Sequence, residues 1–267
     1  MSKPRGYFFR LVLLVATPIS GLLHAQQVDA RQIVQKVYEQ AAFRSLEMRA
    51  SLMIYDSQGH STKKEFLYRR INTNPGSKTR VDILAPAEEK GVVLLAVQQP
   101  GIPANQYVYT PAIDRVRSLG VQDRNGRFLG SDFIFEDFAD TNPSDFTYRL
   151  IGNGEKIDGQ ETYKIEARPV ERNDYPYAYV YLWIAKHVPV IDYAQMYTAP
   201  GILTRSLHAT DLRRERGVWG MRRTEVNTAV EHTRTLLTVQ SVRFNQILDD
   251  AVFSPQTLGV AVPAEKK

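Results

Sequence analysis

The chain contains no cysteine in 267 residues. That absence excludes disulfides, thiolate zinc sites, cysteine-ligated iron–sulfur clusters, a thiol nucleophile and an N-terminal lipidated cysteine. Histidine is scarce as well. Beyond His24 there are only His60, His187, His208 and His232, in four separate predicted segments, so no local metal site is legible. There is no G-x-S-x-G nucleophile elbow, no G-x-x-x-x-G-K-[ST] phosphate loop, no G-x-G-x-x-G fingerprint and no H-E-x-x-H motif. The expectation is a non-enzyme: no catalytic residues, no metal and no cofactor.

Only one long uncharged run exists, Leu11 to Leu23, and it follows the basic residues Lys3, Arg5 and Arg10. With His24-Ala25 after it, residues 1–25 read as a secretory signal. The run is shorter than the about 20 apolar residues that a spanning helix needs. Removing it leaves 31 basic and 29 acidic side chains, so most of the basic excess belongs to the signal. The clustered Arg213, Arg214, Arg216, Arg222 and Arg223 are interleaved with Asp211 and Glu215. They read as a charged turn between strands, not as a nucleic-acid face. At 43% hydrophobic and 24% charged the chain is too apolar for a disordered one. It has no Gly/Ser-rich or Pro-rich linker and no clean repeat, so residues 26–267 are expected to form a single domain.

Helical periodicity is nearly absent. Asp29 caps one predicted helix, in which Ala30, Ile33, Val37 and Ala41 recur at helical spacing up to about Phe43. From there the period is two. Leu46, Met48, Ala50, Leu52 and Ile54 alternate with polar residues, and about a dozen strand candidates follow at short intervals. Gly91 to Val97 is nearly all aliphatic and should be covered on both faces. Asp158-Gly159 marks a hairpin. Antiparallel sheet of this extent must curl, split or close, and nothing alternates strand with helix as a doubly wound fold would.

Two aromatic patterns stand out. Tyr175, Tyr177, Tyr179, Tyr181 and Trp183 share one face of a strand whose other face carries Ala178, Val180, Leu182 and Ile184. Such rings either fill a core or line a cavity, with their polar groups at its rim. In the segment Gly130 to Phe138, Phe133, Phe135 and Phe138 accompany Asp132, Glu136 and Asp137. This is either a loop tucked into the core or a movable lid over an apolar hollow. The paired acids cap or tether such a lid more readily than they perform acid–base chemistry.

The residues Tyr107-x-Tyr109-x-Pro111, Arg115-Val116-Arg117 and Gly130-Ser131-Asp132-Phe133-x-Phe135-Glu136-Asp137 together resemble the bacterial outer-membrane lipoprotein-sorting proteins, the distant LolA-like group. Gly159 to Glu166, Trp183-Ile184 with Pro189 after it, and Phe253-Ser254-x-x-x-Leu258 agree in order, so the resemblance spans most of the chain. It implies a mainly β fold, LolA/LolB-like: a strongly curved antiparallel sheet, an incomplete barrel, closed by helices around an apolar cavity. It also implies a periplasmic carrier for a lipid or lipidated protein. Its membrane contact is expected to be transient, and an inner-membrane exporter of the resistance-nodulation-division type is a possible partner. An acyl chain exposed to water costs about 0.8 kcal/mol per CH₂, and such a carrier would hide it without covalent chemistry.

On that basis the expected cavity wall is Leu52, Ile54, Tyr107, Tyr109, Tyr179, Tyr181 and Trp183. The expected lid is Ile33, Val37, Phe133, Phe135 and Phe138. Arg115, Arg117, Asp132 and Glu136 are the expected lid tether or head-group contacts. The competing expectation is a non-carrier adaptor or scaffold of an exporter or envelope assembly. An enzyme acting on lipid would be third.

Overall fold

The computed structural model describes residues 29–39, 43–99, 102–171 and 175–259. The signal expected over residues 1–25 and the Ala41 end of the expected helix lie outside these residues. Helix α1 (Ala30–Glu39) begins where Asp29 Oδ1 accepts from the Arg31 N–H at 2.9 Å. This satisfies one of the backbone donors that a helix start leaves unpaired.

The strands follow in a run: β1 (Ser45–Tyr55), β2 (Ser61–Asn72), β3 (Ser77–Ala85), β4 (Val93–Gln98), β5 (Asn105–Thr110) and β6 (Arg115–Leu119). The short helix α2 (Val121–Arg124) and a stretch of 3₁₀ turns lead to β7 (Phe146–Ile157) and β8 (Gln160–Pro169). Then come β9 (Tyr179–Ala185), β10 (Ile191–Ala199), β11 (Ile202–Glu215), β12 (Val218–Thr228) and β13 (Thr233–Phe244). All of them belong to one sheet in the order β6-β5-β4-β3-β2-β1-β13-β12-β11-β10-β9-β8-β7. Every pairing is antiparallel; all but β1 with β13, which joins the first strand to the last, link strands consecutive in the chain. Asp158 and Gly159 turn β7 into β8 with φ of +47° and +80°, the positive pair that a tight hairpin requires. The Arg-rich stretch forms the β11–β12 hairpin around Arg216 and Gly217.

The expected incomplete barrel closed by helices is not what forms. The sheet is open: β6 and β7 are its two edges and do not pair with each other. Only two α-helices occur among the described residues, of ten and four residues, too short to close a sheet of this width. The physical reason lies in the sequence: helical spacing appears only in α1. The cover is instead built from 3₁₀ turns and irregular chain, which can follow a side-chain surface without a long amphipathic period.

Alternation along the strands divides the core between two faces. The inner face carries Ala50, Leu52, Phe66, Val81, Leu94 and Val226, packed with Phe128, Phe133 and Phe138. Farther along, α1 sets Ala30 and Val34 on Ile165 and Ile184. On the outer face, Val93 and Leu95 of β4 meet Phe253 and Leu258 of the C-terminal turns. Thus Val93, Leu94, Leu95 and Ala96 are all buried, and β4 is covered on both sides.

Candidate functional site

A cavity of about 720 Å³ lies against the inner face of β8 to β11. Its floor is apolar: Val180 and Leu182 of β9, Ile191, Ala194 and Met196 of β10, and Leu207 of β11. One wall is aromatic. The rings run Tyr148, Phe146, Tyr175, Tyr177, with successive centroids 6.4, 5.0 and 5.6 Å apart. Val34 and Tyr38 of α1 complete that side, and Phe133 faces the cavity from the opposite one. Burial pushes the Tyr175 and Tyr148 phenols well above the ordinary range, and other phenols and carboxylates nearby add to the effect.

The rim is polar. Asp137 Oδ2 takes Arg205 Nη2 at 2.6 Å, and the Tyr177 hydroxyl bonds the same guanidinium. Burial opposes charge on Arg205, but Asp137 and Tyr177 outweigh it and hold the group above its usual range. Arg124 Nη1 stands 3.6 Å from Glu136 and 3.4 Å from the Ala104 carbonyl. Arg70 makes a two-pronged contact with Asp140, which also accepts from Ser77. Each rim carboxylate in these pairs thus faces its own guanidinium, so the arrangement is a set of braces. It pairs no nucleophile with a base, and no group of three metal-ligating side chains is found among the described residues.

The segment between α2 and β7 is fastened to the sheet by Asp132, which is 1% exposed. Its carboxylate accepts from the hydroxyls of Thr228, Thr233 and Thr235 and from Arg127, at 2.5 to 2.8 Å. Its own N–H donates to Thr235 Oγ1 at 2.9 Å. Charge-assisted bonds in a dry site are the strong kind, and four converge here. Phe133 and Phe138 are buried in the inner core, and Phe135 packs on its margin with its ring 5.5 Å from Phe128. The segment packs as a plug over β1, β2 and β13 and shows one flank to the cavity.

The structure distributes the other expected site residues widely. Leu52 is fully buried in the inner core and Ile54 packs beside it, both under the plug. Tyr107 and Tyr109 lie on the outer face beneath the C-terminal turns. Tyr179, Tyr181 and Trp183 are also on the outer face, where Tyr179 stacks on Tyr197 at 4.7 Å and Trp183 meets Tyr193 at 5.1 Å. Lys164 Nζ sits 4.5 Å over Trp183, and the Trp183 indole N–H donates to Glu155 at 2.8 Å. The cavity takes the alternate residues of the same strand, Val180 and Leu182. Ile33 and Val37 are half-buried among the apolar contacts of α1. Arg115 and Arg117 lie on the edge strand β6, where Arg117 pairs with Asp123 at 2.9 Å, away from Asp132. Glu136 alone of the expected tethers reaches the cavity. Tyr175 and Tyr177, expected on one face with Tyr179, Tyr181 and Trp183, precede β9 and turn to the cavity while the other three do not; sequence reading missed Tyr148, Arg124 and Arg205. It also missed the Asp132 hub, for which the alternating Thr233 and Thr235 with Thr228 opposite were the available signal.

This open antiparallel sheet with a pocket under irregular cover has solved counterparts, one of them named for the LolA superfamily. A domain named for outer membrane lipoprotein sorting, from Vibrio parahaemolyticus, superposes with a TM-score of 0.81 at 18% identity, over 86% of this chain and 98% of that one. A DUF1329 family protein from Desulfovibrio piger gives 0.82 at 20%, over 86% and 97%. A LolA superfamily protein from Nitrosomonas europaea gives 0.67 at 21%, over 85% and 98%. These likenesses establish the fold. In sequence, residues 76–259 match the profile of a family described as uncharacterized protein, and the chain belongs to that family. No curated protein is significantly similar to it in sequence.

Proposed function

We propose that this chain is a non-catalytic protein of the bacterial periplasm, sent there by a signal over residues 1–25, that serves an envelope assembly as an adaptor or scaffold. The observation that carries this reading is the pinning of the Phe-rich segment through Asp132. A lid that opened with each cycle of loading would have to break those bonds and expose Phe133 and Phe138. A frame fixed in this way, with half-exposed Tyr181, Tyr193 and Tyr197 on its outer face, suits lasting engagement with a partner. A photocrosslinker at Tyr181, in cells, tests it. One membrane-associated partner captured there, and lost when Tyr197 is changed to Asp in a folded protein, supports the adaptor. An inner-membrane exporter is one candidate for that partner. Absence of any discrete crosslink from the outer face overturns the reading.

A second reading, carriage of a lipid or of a lipidated protein, is favoured by one observation: the cavity's apolar floor and volume match what a single acyl chain needs. Native purification without detergent, followed by lipid extraction and mass analysis, tests it. Stoichiometric acyl lipid supports the carrier. Lipid-free protein that also declines offered lipids removes it.

A further inference from the structure

The cavity's polar groups are not of the kind that welcome an anion. Arg124 is the only cation among its described lining residues, and it is already directed at Glu136 and the Ala104 carbonyl. Arg70 and Arg205 stand behind the lining and are committed to Asp140 and Asp137. Asp145, which accepts from Asn142 Nδ2 at 3.2 Å, and Glu171 add two carboxylates to the rim. A carboxylate or phosphate head placed here would meet an excess of like charge where water is partly excluded.

The hydrogen-bonding capacity on offer is phenolic. The Tyr177 hydroxyl is used by Arg205, and that of Tyr38 by Thr141. The hydroxyls of Tyr148 and Tyr175 have no hydrogen-bond partner among the described residues, and both rings line the cavity beside the apolar floor. A phenol is protonated across the physiological range, and burial pushes both groups further up, so each can donate. A phenol O–H facing a hollow is matched by a carbonyl or hydroxyl oxygen. An ammonium head would be drawn to Asp145 and Glu171 at the rim and would leave both phenol donors unmatched.

Resting on the second reading above, we propose that the cavity selects an uncharged amphiphile: an apolar chain whose ester, amide or hydroxyl head accepts from Tyr148 and Tyr175. Anionic lipids are disfavoured. The test uses the protein freed of its signal and a panel with one common chain: monopalmitoylglycerol, palmitate, palmitoyl lysophosphatidylglycerol and hexadecylamine. Each competes with a fluorescent fatty alcohol below its micellar concentration. Monopalmitoylglycerol should bind about tenfold more tightly than palmitate, a difference of about 1.4 kcal/mol. Tyr175→Phe, which keeps the ring and its packing, should weaken monopalmitoylglycerol by about fivefold and leave palmitate unchanged, as loss of one neutral hydrogen bond predicts. Asp145→Asn with Glu171→Gln should strengthen palmitate by about threefold. Palmitate, the lysophospholipid or the amine binding as tightly as the glyceride would overturn the selection and leave a lipid-binding cavity standing. Failure of every probe, with an unchanged melting profile, would overturn both.

Discussion

The inner face of this sheet is built in two ways. Over β1, β2 and β13 it is packed solid: Leu52 and Phe66 have no exposed surface, and the Phe plug is fastened onto them. Over β8 to β11 the same face bears comparable aliphatic residues but leaves a hollow against Leu182, Ala194 and Met196. Both halves follow the same alternation, so the pattern of apolar residues does not decide which half fills. What decides it is where the irregular segment between α2 and β7 comes down, and Asp132 fixes that place. One half is thus filled and carries stability, and the other leaves apolar surface beside a hollow.

The largest expected effect is at the fastening. Asp132→Ala removes a buried carboxylate and strands three hydroxyls, and should cost about 4 kcal/mol in urea unfolding. A loss below about 1 kcal/mol would show that the plug is held by its phenylalanines alone. Next, Leu52→Ala should cost about 3 kcal/mol, because a new void opens in a filled core. Leu182→Ala should cost about 1 kcal/mol, since part of its surface already borders empty space. Equal losses at the two positions would erase the distinction between the halves.

A smaller effect concerns pH. Burial pushes Asp192 on β10 up to about 6, with Asp158 adding to the shift and His208 opposing it. An unfolded aspartate titrates near 4, so the folded chain holds the extra proton between those values. Stability should therefore fall as pH rises from about 4 to about 6, and the loss is complete above that. Asp192→Asn should flatten this part of the profile and gain about 2 kcal/mol at neutral pH; an unchanged profile would assign the slope to other groups. The smallest effect is at the start of α1. Asp29→Ala should cost about 1 kcal/mol or less, seen as faster amide exchange in that helix and not in β1.

Much of the fold was legible because strands and hairpins are local. Leu46 to Ile54 as a half-buried strand, the aliphatic Val93 to Ala96 covered twice, and the Asp158-Gly159 turn all follow from period and turn chemistry. Asp29 as a cap is equally local. Closure was not legible, because whether edge strands meet depends on twist accumulated over the whole sheet. The site was harder still. On β9, sequence shows two apolar faces but not which one is roofed. The rings Tyr179, Tyr181 and Trp183 drew the assignment, while Val180 and Leu182 hold the floor. Arg205 with Asp137, and Asp132 with Thr235, join residues far apart in the chain, and no short-range pattern announces them.

The open sheet has one further consequence. A strand with no neighbour on one side is a template on which other chains can polymerise. Here the two outermost strands are blunted differently. β6 is five residues long and presents Arg115 and Arg117, so a second copy would bring cation against cation. β7 is twice interrupted in register, near Gly152 and Gly154, and so cannot offer a long flat ladder. Left unclosed, the molecule should nonetheless stay dispersed at high concentration, and replacing both arginines of β6 by valine should let two copies pair through β6 as a dimer, which the interrupted β7 edge keeps from growing into a fibril.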